Sequence, residues 1–488
     1  MKRTIKSFLI LSLLFFPLAL LYNSAFGFTV GNTEIGGYIR NETSLKVGET
    51  VEPIWSENIL QLEITHHLVP DVIDLFLMTR GYYDAVYDMK DGGWAGDAKS
   101  SVRDHYRLES PDTQADWLRE AYIDFYLPRL DIRLGKQQIV WGKTEAFKML
   151  DIINPQDYRH FIQDAFEDSR ITLWGARFTY KPPLETDSFI EFVALPDFHP
   201  NVAPPYGHPM AFRSTQTSVP GTAIVEEQHR GWTWDEFDLG GRWGQNFGDF
   251  DYTIDYFHHW NRNPLVKITE LNFNQPVPRP VVRLEYKRTH SIGGSFAKNF
   301  NSLFGIPHWV IRFETVLNLG DVGSQLGMMH IKKPIKLDIP GSVPVRTDNY
   351  SYCIAIDHKF HKPVGWWGPA GMDYTFQIFQ TYILDYHHDY TNGALSTPTD
   401  TVGVDHVTTL LTSTFMTSYL QSEVLKPFLL VAYEPSEGAW WISPTIGYEL
   451  SEKTMVTLGA HFFTGPADTL IGSMNKMDNI FLRIKYGF

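Results

Sequence analysis

The sequence predicts an all-β protein, a single transmembrane antiparallel β-barrel of about eighteen strands. The chain of 488 residues is 43% hydrophobic and 15% aromatic, yet after residue 28 it has no charge-free run of roughly 18 residues that could cross a membrane as a helix. Most of it reads instead as segments of about ten residues in which apolar and polar side chains alternate, as they do in barrel strands. The connections between these segments alternate between short and long, which is the asymmetry of outer-membrane barrels.

The first element is an export signal at residues 1–27. A basic start is followed by an apolar core over residues 8–22 and by small residues at Ala25 and Gly27, which suit a signal peptidase. We therefore expect export by the secretory pathway and a mature barrel over residues 28–488. An uncleaved membrane anchor is the alternative.

Eighteen strands follow from the alternation. Short connections such as 128–129 alternate with long ones such as 87–116, which predicts short periplasmic turns, long extracellular loops and both termini in the periplasm. The strands near 406 and 426 alternate least clearly, so sixteen strands is the alternative count. The strands are predicted near residues 29–42, 57–68, 72–86, 117–128, 130–142, 170–182, 187–197, 232–247, 249–261, 281–298, 308–320, 349–361, 372–387, 406–421, 426–434, 439–450, 453–464 and 478–488.

The last strand ends in an assembly signal. Over residues 479–488 one face is continuously apolar and ends in Tyr486 and Phe488. This pattern resembles the C-terminal signal by which bacterial outer-membrane barrels are recognised for assembly. We therefore expect the barrel assembly machinery as a partner and the outer membrane of a Gram-negative cell as the location. An ordinary edge strand that ends by chance on Phe is the alternative.

The polar faces of the strands predict the wall of a water-filled lumen, if the apolar faces point to lipid. Charges of both signs occur there in comparable number, so we expect paired charges and no strong ion preference, which a ring of one sign would give. The strands near 406–434 carry few charges on either face, which leaves open an apolar lane or a wall covered by a plug. The candidate pore-lining residues are Arg80, Glu120, Asp124, Arg133, Gln137, Arg177, Asp238, Arg242, Arg283, Glu285, Lys287, Arg312, Glu314, Lys359 and Arg483.

The connection over residues 143–168 is predicted to fold into the barrel and narrow it. Its apolar side chains, among them Phe147, Met149 and Leu150, are too many to lie comfortably in water. Residues 143–150, which include these side chains, are predicted to form a helical turn or two that Asn154-Pro155 would close. A loop that packs on its outer neighbours is the alternative.

A motif around this connection resembles a known family, the bacterial outer-membrane family catalogued as domain of unknown function 1302. The resemblance implies an outer-membrane barrel, a fold often associated with export and uptake systems for lipids or hydrophobic compounds. It implies a structural and pore-lining role for the motif and no catalytic one. The matching positions are Gly135, Gln137, Trp141, Gly142, Asn154, Pro155 and Asp157.

These features together predict a porin-like channel or transporter for small, amphipathic or hydrophobic solutes, surrounded by outer-membrane lipid. Two alternatives stay open: a non-catalytic component of an envelope export complex for lipids or hydrophobic compounds, and an outer-membrane enzyme of the lipase type. A net charge of −14 argues against nucleic acid as a partner. No catalytic, cofactor or metal site is expected, because the chain lacks G-x-S-x-G and adjacent histidines such as His66 and His67 point to opposite faces of a strand.

Overall fold

The computed structural model is a closed ring of antiparallel strands. Each wall strand pairs with its neighbours along the chain, and the last pairs with the first. Within the described residues eighteen strands form this ring, which confirms the predicted fold class. The structure describes residues 27–48, 51–86, 117–184, 186–202, 204, 210, 223–226, 232–263, 265–272, 279–303, 306–321, 336–337, 347–361, 371–384, 406–466 and 469–488.

The strands fall into a wall and a small separate sheet. Strand β1 forms a hairpin with β2, strands β9, β12, β13 and β16 form the separate sheet, and the other eighteen form the wall. In chain order they are β1 (Phe28–Val30), β2 (Thr33–Lys46), β3 (Glu52–Val69), β4 (Ile73–Asp84), β5 (Leu118–Leu127), β6 (Leu130–Gln137), β7 (Leu173–Tyr180), β8 (Asp187–Leu195), β9 (Ala223–Glu226), β10 (Asp238–Asn246), β11 (Phe250–Trp260), β12 (Leu265–Asn272), β13 (Arg279–Glu285), β14 (Arg288–Leu303), β15 (Ile306–Asp321), β16 (Lys336–Leu337), β17 (Thr347–Phe360), β18 (Met372–Ile383), β19 (Val407–Thr417), β20 (Leu425–Glu434), β21 (Ala439–Ser451), β22 (Thr454–Thr464) and β23 (Asn479–Gly487).

Burial divides each wall strand into two faces. In β11 the side chains of Asp255 and Phe257 are buried, whereas Ile254 and Tyr256, which alternate with them, are 54% and 44% exposed. Successive side chains of a strand point to opposite faces. The buried, largely polar face therefore lines the interior of the ring, and the exposed apolar face forms its outer surface.

The ring closes between β2 and β23, with Tyr38 opposite Gly487 at one end of the pairing. Gly37 and Phe488 extend it by exchanging backbone hydrogen bonds of 3.0 and 2.9 Å. Tyr486 shares the outer face with the exposed Ile480. The role of Tyr486 and Phe488 in assembly stays a prediction.

One predicted strand is divided in the structure. Residues 281–298 were expected to form a single wall strand, but β13 ends at Glu285 and pairs with β9 and β12 in the separate sheet. Arg283 and Glu285 therefore lie on β13 and not on a wall strand, and Lys287 lies in the connection to β14. The wall pairing of β14 with β11 begins at Arg288, opposite the last residue of β11. Just before it, the Lys287 carbonyl accepts a hydrogen bond from the Asn261 amide, which follows the end of β11, at 2.8 Å.

The connections at the two ends of the barrel differ in length. Those at the end with the termini include the two-residue turn 128–129, whereas the connection 138–172 at the other end is much longer. It contains a four-residue helix, α1 (Phe166–Ser169). Short 3-10 turns occur at Gln421–Glu423 and Gly472–Met474. Among the described residues no helix has the length and apolar character needed to cross a membrane.

Candidate functional site

Residues 138–172, between β6 and β7, run through the interior of the ring, and we call them the inward segment. Its first half reaches strands on the far side of the ring from β6. Phe147 contacts Phe379 on β18 and Trp441 on β21 edge-on, with ring centroids 5.9 and 6.3 Å apart. Contacts with strands so far from β6 require the segment to cross the lumen.

Charged wall residues hold this first half of the segment. The Lys143 ammonium pairs with Asp251 on β11, and the Lys143 backbone amide donates to Glu314 on β15. The Lys143 carbonyl oxygen accepts a hydrogen bond from Arg312. Arg312 and Glu314, two of the predicted lining residues, therefore bind the segment as well as lining the wall.

The second half of the segment returns along strands close to the seam between β2 and β23. His160 stacks on Trp55 of β3 with ring centroids 4.4 Å apart. Its Nδ1 lies 3.2 Å from Asp164 and its Nε2 lies 3.4 Å from Glu57. Burial alone would lower the pKa of His160, but these two carboxylates outweigh burial and raise it to about 10. The segment therefore brings a cation to the carboxylate of β3 at neutral pH.

Motif residues join the two ends of the inward segment. The Asn154 side chain accepts a hydrogen bond from the Ile139 amide at 2.7 Å and donates one to the Ile171 carbonyl at 2.8 Å. The Pro155 carbonyl accepts from the Ile171 amide at 2.8 Å. The Trp141 indole donates at 2.6 Å to a carboxylate on β8. The motif thus fixes where the chain leaves the wall and where it rejoins it.

The other motif positions shape the backbone around this junction. The buried Gln137 amide donates to the Gly135 carbonyl at 3.3 Å. A side chain at Gly142 would meet backbone of the facing chain 3.0 Å away. The Asp157 carboxylate accepts from the Arg159 Nε at 2.9 Å. All of these contacts are structural.

Five of the other predicted lining residues form an ion pair with a neighbouring strand, and Asp238 pairs with Arg262 in the connection after β11. Arg177 instead lies opposite Arg133 in the pairing of β6 with β7. The structure groups these residues in pairs around the wall and not in one ring. The pairs are Arg133 with Asp124 at 2.7 Å, Arg242 with Asp255 at 2.9 Å, Arg262 with Asp238 at 2.6 Å, Arg312 with Asp357 at 2.7 Å, Lys359 with Asp373 at 3.5 Å and Arg483 with Glu42 at 2.5 Å.

An apolar part of the inner wall lies against the inward segment. It is the covered wall that the sequence left as one of two alternatives for the strands near 406–434. Sequence reasoning did not single out its members, although their phase on β18 to β22 places them on the inner face. On the wall side the cluster includes Phe379, Leu410, Leu430, Trp441 and Phe463, and on the segment side Phe147, Leu150 and Phe161.

A recess of about 390 Å³ lies beside Glu145 of the inward segment. Asp357 and Lys359 of β17 and Asp373 of β18 line it, together with Trp309. It is therefore a polar space with charges of both signs next to the segment.

The histidines do not assemble a metal site in the parts of the chain that the structure describes, where no group of three or more His, Cys, Asp or Glu is arranged to hold an ion. His67 instead pairs with Asp74 at 2.7 Å. The pair His387 and His388 lies outside the described residues.

Comparison with known proteins gives a family and a set of distant structures. No curated protein matches the sequence. Among solved structures, the chain is similar to a BenF-like porin from Pseudomonas fluorescens Pf-5, with 8% identity over 94% of this chain and 99% of that one, and a TM-score of 0.49. It is similar to the outer-membrane protein OpdK of Pseudomonas aeruginosa bound to vanillate, with 7% identity over 94% and 99% of the two chains and a TM-score of 0.49. It is also similar to the outer-membrane channel DcaP of Acinetobacter baumannii, with 9% identity over 95% and 99% and a TM-score of 0.44.

At these identities and TM-scores the solved structures carry no argument about what the chain does. The family match is of another kind, because it covers most of the sequence. Residues 57–488 match the family described as Protein of unknown function (DUF1302), and the chain belongs to that family.

Proposed function

We propose that the protein is a non-enzymatic outer-membrane channel for small or amphipathic solutes, exported by the secretory pathway and narrowed by residues 143–168. The observation that carries this proposal is the inward segment itself. Phe147 reaches β18 and β21, while His160 reaches β3. A chain segment held at both sides of a barrel reduces the cross-section open to solutes.

The composition of the interior supports an amphipathic solute. One part of the wall carries paired charges, such as Arg242 with Asp255, and keeps water in the lumen. The part around Leu410 and Trp441 is apolar and lies against the inward segment, so a displacement of the segment would expose it to a solute with an apolar body. The exposed apolar outer face of the ring suits burial in lipid.

Conductance across a planar bilayer tests the constriction. Phe147→Ser removes the contacts with Phe379 and Trp441, and a glycine-serine stretch of equal length in place of residues 144–151 removes all apolar side chains of this part of the segment. We expect larger single-channel steps from both variants than from the unchanged protein.

The matched control is Val140→Ser, because Val140 is an apolar residue of the same segment that is 43% exposed. We expect its steps to match those of the unchanged protein. Equal steps from all four proteins would contradict the constriction. If none of the four proteins gives conductance steps, the proposed channel is contradicted.

A further inference from the structure

Two arginines of the inner wall bind a single carboxylate of the inward segment, and a third arginine lies beside them. Arg40 on β2 lies 2.5 Å from one oxygen of Asp168, and Arg80 on β4 lies 2.8 Å from the other. Arg119 on β5 donates to the Arg170 carbonyl, two residues further along, at 2.9 Å. Each of the three arginines is less than a tenth exposed. We call Arg40, Arg80 and Arg119 the arginine site.

The arginine site keeps hydrogen-bond donors that Asp168 does not use. Besides Asp168, Glu57 approaches Arg40 at 3.8 Å. Nε of Arg40 and Nη1 of Arg80 are buried and have no hydrogen-bond partner among the described residues. Guanidinium groups present N–H donors in a fixed fork that matches the two oxygens of a carboxylate. The site therefore has unused donors that suit the carboxylate of an organic anion.

Buried aromatic rings lie next to the arginine site. Trp55 shares the inner face of β3 with Glu57, two residues away, and belongs to the apolar cluster with Phe161. Phe161 contacts Phe463 edge-on at 5.9 Å. A solute that takes the place of this part of the inward segment, with its carboxylate on the arginines, would have its remaining atoms next to these rings.

We propose that the arginine site binds the carboxylate of an organic anion with an apolar body, and that Asp168 occupies this site until such a solute displaces it. The inference rests on the proposed channel function and adds the chemical class of the solute. Asp168 is the ion-pair partner that ties α1 to β2 and β4. Its displacement by a solute carboxylate would release this part of the inward segment while the solute is bound.

Equilibrium binding to the full chain, refolded in detergent micelles, tests the proposal. The probes are benzoate and benzamide, which have nearly the same shape but differ in charge. Their binding is measured by ligand-observed NMR, with empty micelles as the blank. We expect saturable binding of benzoate and none of benzamide. Asp168→Asn removes the competing carboxylate, and its apparent Kd for benzoate should fall about tenfold, the factor expected if Asp168 fills the site about nine-tenths of the time.

Variants of the wall separate the arginine site from general charge effects. Arg80→Gln and Arg119→Gln should lose benzoate binding. Arg133→Gln is the matched control, because Arg133 is another inward arginine in an ion pair, with Asp124, and it should bind benzoate as the unchanged protein does. The faster gel migration of unboiled protein confirms that each variant is folded.

Binding in micelles does not depend on conduction, so a protein that fails to conduct but binds benzoate would overturn the channel and keep the site. Equal binding of benzamide and benzoate, or equal loss in Arg80→Gln and Arg133→Gln, would overturn the site. An unchanged Kd in Asp168→Asn would overturn the displacement by the solute. If Asp168→Asn does not fold, the comparison of the two probes and the arginine variants still decides whether the site exists.

Discussion

Asn154 holds the two ends of the inward segment together through one buried side chain. It is 3% exposed, and its amide group satisfies the Ile139 amide and the Ile171 carbonyl. Without it, each of these buried backbone groups would lose its partner at a cost of about 1–3 kcal/mol. The sequence marked this position through its Asn-Pro pair and family motif. It did not reveal the partners, because they depend on the path of a chain segment that leaves the wall and returns.

Lys148 is a residue of the inward segment whose burial makes the barrel's stability depend on pH. Its ammonium donates to the Ser169 hydroxyl at 2.8 Å and lies 3.9 Å from Asp151. Burial lowers the pKa of Lys148 to about 7, and the opposing effect of Asp151 is too weak to restore it. The unfolded chain keeps its proton up to about pH 10.4. Between these values the unfolded state binds more protons, so the stability of the folded state rises with pH.

We therefore expect the free energy of unfolding in urea to rise between pH 7 and pH 9, by about 2 kcal/mol from this group. Lys148→Met should remove this rise, because the residue no longer titrates. Lys181→Met is the control, since that lysine side chain is 57% exposed and its loss should leave the pH dependence as it was. If the free energy of unfolding rises equally with pH in Lys148→Met and in the unchanged protein, the burial of Lys148 does not cause the rise.

Elements of the wall were the most predictable part of the fold. Alternation identified all eighteen wall strands, because the two faces of each strand meet different surroundings and select different side chains. It failed at residues 281–298, where β13 alternates as a wall strand does but pairs with β9 and β12. Alternation predicts which residues share a face of a strand, but it does not predict which strand lies beside that strand. For the same reason it could not bring Arg40, Arg80 and Asp168 together.

Gly135 is a point in β6 where the strand depends on the absence of a side chain. Its φ is +137°, and a Cβ there would lie 2.7 Å from the Tyr122 Cα on β5 and closer still to the Ala121 carbonyl oxygen. Gly135→Ala should push β5 and β6 apart. We expect a loss of about 1–3 kcal/mol in the free energy of unfolding and a smaller fraction of protein that migrates fast when unboiled.

Gly81→Ala on β4 is the control for this substitution. Its nearest neighbour to an added Cβ is 3.9 Å away, so the chemical change is the same without the clash. If the two alanine variants lose stability equally, the loss comes from the change of glycine to alanine in a strand. The close approach of β5 to β6 at Gly135 would then not be its cause.

At the scale of the whole molecule, closure makes stability a property of the ring. A closed barrel leaves no strand edge unpaired, and here the first and last wall strands meet with Glu42 of β2 against Arg483 of β23 on the inner face. If the pairing at this seam is lost, β2 and β23 become unpaired edge strands. The other strand pairs can then separate one after another from these edges. Damage at one ion pair of the seam should therefore appear as cooperative loss of the entire barrel.

Arg483→Met tests the seam because it leaves the Glu42 carboxylate buried without its main partner. Removal of one member of a fully buried ion pair costs about 3–5 kcal/mol, and we expect about 1–3 kcal/mol here because the Arg483 side chain is 28% exposed. The double variant Glu42→Gln with Arg483→Met removes the stranded charge and should recover most of this loss. Urea unfolding, followed by both tryptophan fluorescence and gel migration, should give one common midpoint for each protein. A double variant no more stable than Arg483→Met, or two separate midpoints, would show that this ion pair does not control closure, since an open seam and an intact wall would then coexist.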